Sequence, residues 1–408
     1  MLHAIRSPRL LVSAAYLAFV LIGIGAGAGG VLIASQVSDY GVGKTLFGIT
    51  FFGGSAGFAL AGVSAGWLDH RVGRRACLVG GGSLVLLAGL ATASRPPFWA
   101  FAALTLVSGY GTGVLESVLN TCLAEMPTSG TLLNRLHAFF GVGALVGPVF
   151  AERMLRVTSW QVVVLTVALM QIPVKAALAA VHPDETHARA QRHQAHADAG
   201  TGGRPAASAW ASPAVRWACL LLSLYVGVEL TTGNWGFTLL RDARGLLDAP
   251  ASLTMSGFWL GLTLGRFVLA SALARVGIGV PGLMTVSIVG TVLFTAALAV
   301  PVTAVSVPAV VLLGFLLGPV FPTAMAAVPL MVRPSLVPAA IGLVNAGSTV
   351  GAAFVPWFGG VIGQHAGMTW LPPFLLLLAA CQLLAWWRMA PHLRHGEPAV
   401  TTVGSPAA

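Results

Sequence analysis

GWLDHRVGRRACL (66–78) is the stretch on which the fold turns. It lies between two apolar runs, 45–67 and 76–93, each long enough to cross a bilayer. Arginines at the ends of apolar runs mark the cytoplasmic side of a membrane, so the stretch reads as a short inner turn between two membrane helices. Within it, Gly66 allows helices to approach closely and Gly73 permits a tight turn. Asp69 can accept from an arginine or cap the positive end of the next helix.

The rest of the chain repeats that pattern. Of 408 residues, 56% are hydrophobic and only 8% charged, with a mean hydropathy of +0.86. A water-soluble globule would carry about 25% charge, so the chain is a polytopic membrane protein. Apolar runs fall at 10–34, 45–67, 76–93, 98–124, 136–155 and 160–181, then at 214–240, 251–274, 280–300, 307–331, 339–362 and 370–389. The first is too long for a signal-peptide core and is expected to remain as a helix. The net charge of +10 forms no patch that would suit nucleic acid; it is a topology signal. With the N-terminus inside, fourteen basic residues, Arg71, Arg74, Arg75 and Arg275 among them, lie on the inner side and six on the outer. That asymmetry predicts cytoplasmic termini; the membrane is expected to be a bacterial inner membrane.

Between the two sets of runs, HPDETHARAQRHQAHADAGTGGRPAASAWAS (182–212) is polar and rich in His, Ala and Gly, and reads as a solvated tether. Its histidines (His182, His187, His193, His196) raise metal binding as an alternative, but the surrounding composition favours the tether and no site is assigned to them. The predicted organisation is a six-helix bundle over 1–181, a cytoplasmic linker over 182–213, and a second bundle with a short tail over 214–408. Cys77, Cys122, Cys219 and Cys381 are far apart, so buried thiols without a disulfide framework are expected.

The chain also matches itself at an offset of 204 residues. Gly53 pairs with Gly257, Gly57 with Gly261, Arg71 with Arg275, Gly73 with Gly277, Gly143 with Gly347 and Gly147 with Gly351. A shared offset across helices and a loop marks a parallel repeat, a transporter architecture. With this frame, the 66–78 loop resembles the signature loop of the major facilitator superfamily. The resemblance implies an all-α membrane protein of twelve helices in two pseudo-symmetric bundles. It also implies a charge latch at helix ends that closes the inner side, carried by Gly66, Asp69, Arg71, Gly73, Arg74 and Arg75. A reduced copy at 265–277 brings Arg266 and Arg275 into the same set.

Glu116 and Glu229 are the two acids deep inside apolar runs, one in each half, and an ionisable group in hydrocarbon is a functional hypothesis by default. LESVLN (115–120) puts Glu116 and Asn120 on one helix face. With LLNRLHAFFGVGALVGPVF (132–150) and YVGVELTTGNW (225–235) it resembles the fucose and glucose permease branch. There the fourth-helix acid faces the central cavity and takes part in substrate binding and proton coupling. That branch also carries an acid in its first helix, whereas GIGAGAGGVLIASQ (23–36) has none, so Glu229 is the candidate substitute. The plain alternative for each glutamate is a structural hydrogen bond to a neighbouring helix.

A sugar needs apolar platforms beside amide and carboxylate partners, which singles out Tyr225, Asn234, Trp235, Asn345 and Trp357. Trp386 and Trp387 read as interfacial anchors. Asn345 faces either the cavity or a neighbour. Arg266 reads as a latch residue or counter-ion ahead of an anion site, and His137 as a residue at a helix edge. Pro148 and GPVFP (318–322) are expected to kink their helices.

There is no Ser/His/Asp order, metal cluster or Walker loop, so neither an enzyme, a cofactor nor ATP drive is indicated. The expectation is a monomeric permease in the lipid bilayer for a small-molecule substrate, sugar or sugar-like, with protons as the candidate coupling ion. Proton-antiport efflux of drugs or amphiphilic metabolites is the alternative.

Overall fold

The computed structural model describes residues 8–180 and 204–393. Among these residues twelve helices are long and apolar enough to cross a membrane: Pro8–Tyr40, Lys44–Val72, Arg74–Ala93, Phe98–Ala124, Ser129–Leu155, Trp160–Ala180, Pro213–Asp242, Asp248–Arg275, Val280–Ala299, Thr303–Leu330, Pro334–His365 and Met368–Leu393. They are called the first to twelfth spans. Helices are the expected answer, because hydrocarbon offers backbone amides no partner outside the segment. The side bearing the 66–78 turn is called the near side and the opposite one the far side.

Packing follows the sequence repeat. The first span packs on the fifth and the seventh on the eleventh; the second packs on the fourth and the eighth on the tenth. The sixth lies on the third and the twelfth on the ninth. The halves meet where the second span touches the eleventh and the eighth touches the fifth, a relation that exchanges under the same repeat. Small residues make these contacts possible. A Cβ on Gly143 would strike the Val20 carbonyl, and one on Gly351 the Ser223 carbonyl, in the corresponding helix pairs of the two halves. The two turns match as well: Gly73 (φ 86°) and Gly277 (φ 77°) are both left-handed, a conformation glycine adopts at little cost. The fold is therefore two pseudo-symmetric six-helix bundles.

Several details depart from the expected outlines. The first span runs on to Tyr40 and so carries Asp39 at its far end, and the fifth begins at Ser129. The expected tether to 212 lies outside the described residues up to 203, but its last part forms a helix, Arg204–Ala211, packed on the seventh and eleventh spans. The four linker histidines lie outside the described residues. The tenth span breaks at Gly318 and Pro319, as anticipated, whereas the fifth continues as helix through Pro148. All four cysteines are free, but Cys381 is exposed. Trp386 is buried, donating its indole N–H to Thr285 Oγ1 at 3.0 Å; packing against the ninth span outweighs the interface, and only Trp387 stays exposed.

The far end of the second half is pinned by Arg244, in the turn between the seventh and eighth spans. It donates to the Ser306 hydroxyl at 2.9 Å and to the Leu298 carbonyl at 2.7 Å, and its own carbonyl accepts from Thr303 at 2.9 Å. Burial pushes the guanidinium below its ordinary range. Hydrogen bonds to charged groups contribute about 1.5–3 kcal/mol each. Arg244→Ala should therefore lower the thermal unfolding temperature in detergent. Arg275→Ala, which removes an exposed side chain without an ion pair among the described residues, should leave it unchanged.

Candidate functional site

On the near side the signature turn assembles a network inside the first half. Arg74, at the start of the third span, has a side chain only 4% exposed. Its Nε donates to Asp69 Oδ2 at 3.4 Å, and its two terminal nitrogens donate to both oxygens of Glu125 at 2.5 and 2.6 Å. The planar fork suits this bidentate geometry. Glu125 is the member that reading by apolar runs missed, because it sits one residue beyond Ala124. The other loop residues divide. Arg75 donates to the Ala179 carbonyl at 2.8 and 2.6 Å, and Arg71 lies over the Trp67 ring at 5.5 Å. Gly66 faces open space, so its expected role in close packing is not realised; Gly73 supplies the left-handed turn. Arg275 is exposed.

Arg266, read as latch residue or counter-ion, stands as a counter-ion. It lies in a π-helical turn, Gly265–Leu269, of the eighth span, and its Nη2 is 4.0 Å from Glu229 Oε1 on the seventh. At that separation an effective dielectric of about 20 gives an attraction on the order of 4 kcal/mol. Tyr225, one helical turn before Glu229, is fully buried with its hydroxyl lacking a hydrogen bond. Arg266 Nε also lacks one. The charge of Arg266 acts on four groups: Glu229, Tyr225, and, from the other half, Glu116 and His137. Glu116, Arg266 and His137 each lie eight or nine residues from the near end of their spans, roughly 13 Å deep. His137, taken for an edge residue because its apolar run starts at 136, is well inside a span that begins at Ser129.

The remaining candidates are placed as follows. Asn120 turns its amide back to the Glu116 carbonyl at 2.8 Å, which leaves the Glu116 carboxylate without hydrogen bond or ion pair among the described residues. Asn345 is exposed on the eleventh span. Asn234 is partly buried where its backbone meets Gly30 of the first span. Trp235 is wholly buried and donates to the Pro356 carbonyl at 2.7 Å, so its ring packs helices together. No group of His, Cys, Asp and Glu among the described residues could hold a metal ion.

On the far side the halves are in contact. Phe51 meets Trp235 edge-on with centroids 6.0 Å apart, and Phe52 meets Phe354 at 4.8 Å and Trp357 at 5.8 Å. Gln364 Oε1 accepts from the Thr45 amide at 2.8 Å, and Lys44 lies 3.7 Å from Asp242. Two further acids stand here. Asp39 accepts from Arg95 at 2.6 Å, Trp160 at 2.9 Å and Gln161 at 3.2 Å, and in return holds the exposed Arg95 guanidinium above its ordinary range. Glu152, 3% exposed, pairs with Arg156 one turn on. Both escaped the reading of apolar runs, one by lying past the expected end of the first helix and one by sitting beside loop arginines.

Comparison with known proteins agrees with this geometry. Over 93% of the chain, and 82% of the relative, it is 26% identical to Bypass of stop codon protein 6 of Saccharomyces cerevisiae. A crystal structure of a D-xylose-proton symporter superposes with a TM-score of 0.77, at 15% identity, covering 95% of this chain and 99% of the other. A bacterial homologue of the human lysosomal transporter Spinster, inward-facing and unoccupied, superposes with a TM-score of 0.74, at 13% identity and with the same coverage. The Major Facilitator Superfamily model matches residues 15–336 and again 249–405. With twelve spans in two matched bundles and that match across nearly its whole length, the chain belongs to the Major Facilitator Superfamily of membrane transporters.

Proposed function

We propose that this transporter carries a small polar solute, a sugar or sugar-like metabolite, by rocking of its halves about the group formed by Glu116, Glu229 and Arg266. The observation that carries the reading is the Glu116 carboxylate. It is unpaired among the described residues, deep in a span of one half, and within the field of an arginine from the other. An unpaired acid at that depth is stabilised by a proton, by a solute's hydroxyls or by water, and each of these requires a path. Charges along such a path favour a polar solute over an amphiphilic drug. The likeness to a protein named as a xylose-proton symporter supports the same choice.

The ring and polar contacts between the halves, at Phe51, Phe52, Lys44 and Thr45, lie toward the far side, and the fifth and eighth spans meet at mid-depth, Gly141 against Thr263, which supports a path open to the near side. Movable units of 1–181 and 214–408, joined by 182–213, fit that motion, with the chain acting as a monomer. The excess of arginine on the near side supports a cytoplasmic near side, with both termini on the cytoplasmic face of a bacterial inner membrane. Protons are the candidate coupling ion, exchanged at Glu116, with Glu229 held by Arg266.

Uptake of labelled pentoses and hexoses into vesicles tests the reading. Glu116→Gln should reduce uptake of the transported sugar about tenfold or more while elution on gel filtration stays normal; undiminished uptake would sink the assignment. The near-side network gives a second test. Arg74→Ala leaves Glu125 and Asp69 without their cation, and breaking a buried pair costs about 3 kcal/mol. It should lower thermal stability far more than Arg71→Ala, whose partner is one exposed ring.

A further inference from the structure

On the far side, between the second and eleventh spans, lies a groove of about 480 Å³. Leu46, Ile49 and Phe52 form one wall and Trp357 the other. From Trp357 to Gln364 the eleventh span advances about 10 Å, two thirds of the roughly 15 Å hydrocarbon depth of one leaflet. Exposed Phe354 and Phe358 continue the apolar surface of the eleventh span. The outer end of the groove is polar. His365 and Gln364 are exposed there, and the buried Thr45 hydroxyl has no hydrogen-bond partner. Lys44 lies alongside, its Cδ 3.5 Å from where a Cβ on Gly363 would stand. Among the described residues its ammonium pairs with Asp242 alone, at 3.7 Å.

We infer that this groove holds one acyl chain of an anionic phospholipid from the far leaflet, with the headgroup phosphate against Lys44 and His365. Its walls come from both halves, so the site exists only while the second and eleventh spans are together. A ligand that binds one conformation better shifts the population toward it. The lipid therefore favours the arrangement closed on the far side. The groove is separate from the solute path and makes no use of Glu116 or Arg266.

The test is native mass spectrometry of the full chain in mild detergent, stripped of lipid and then given phosphatidylglycerol or phosphatidylcholine of equal chain length. One phosphatidylglycerol should be retained, about fivefold in preference to phosphatidylcholine, because each basic residue near a membrane surface favours anionic lipid by roughly that factor. Ile49→Trp, which fills the groove, should abolish retention of that one lipid. The double variant Lys44→Gln with His365→Gln, which leaves the walls intact, should erase the preference and serves if the filled variant does not fold. Equal retention of the two lipids by the unaltered chain would overturn the proposal. So would a preference unchanged in the double variant, or phosphatidylglycerol retained at full level by a folded Ile49→Trp.

Discussion

A guanidinium well inside a membrane span must be neutralised or reach water, and the placement of Arg266 organises the middle of this molecule. Glu229 stands 4.0 Å away, and the same charge reaches Glu116 and His137 across the divide between the halves. The local backbone serves that placement. Arg266 sits in a π turn, a form of helix concentrated at functional sites. The turn is locked against the tenth span, where a Cβ on Gly265 would strike the Phe315 carbonyl and one on Gly318 would lie 2.7 Å from the Arg266 amide. The tenth span breaks at Gly318 and Pro319, so two irregular segments face each other beside the charge.

Around that centre the two ends of the molecule are built differently. The near side uses ionic bonds within one half, Arg74 holding Asp69 and Glu125, which tie the turn to the end of the fourth span. Between the halves the far side relies mainly on rings, Phe51 against Trp235 and Phe52 against Trp357, with one looser ion pair, Lys44 to Asp242 at 3.7 Å. Aromatic and small-residue contacts have little directional demand, so they separate and re-form more readily than a bidentate ion pair. This arrangement suits halves that part on one side while each stays rigid.

Much of this was legible in the sequence because lipid makes strong demands. Apolar runs located every span, and the 204-residue offset anticipated both the paired helix contacts and the matched left-handed glycines Gly73 and Gly277. Arg74 and its acid Asp69 were readable from the turn itself. What the runs hid were charged groups at span ends. Glu125, Asp39 and Glu152 look like loop residues until their partners, distant in sequence, are brought beside them. Arg266 was readable as latch residue or counter-ion: its place in the copy of the turn suggested the first, and its approach to Glu229 favours the second. Trp235 and Trp386 show that ring chemistry alone does not separate a binding platform from a packed core.

The central claim is that Glu116 faces a water-filled path shared with Arg266 and open to the near side. The most direct measurement replaces Glu116 with Cys in a chain lacking its four native cysteines, and applies a membrane-impermeant thiol reagent to vesicles of each orientation. Rapid labelling from the near side, slow labelling from the far side, and protection by the transported sugar are the predicted result. Labelling from neither side, or equally from both with no protection, would contradict the account.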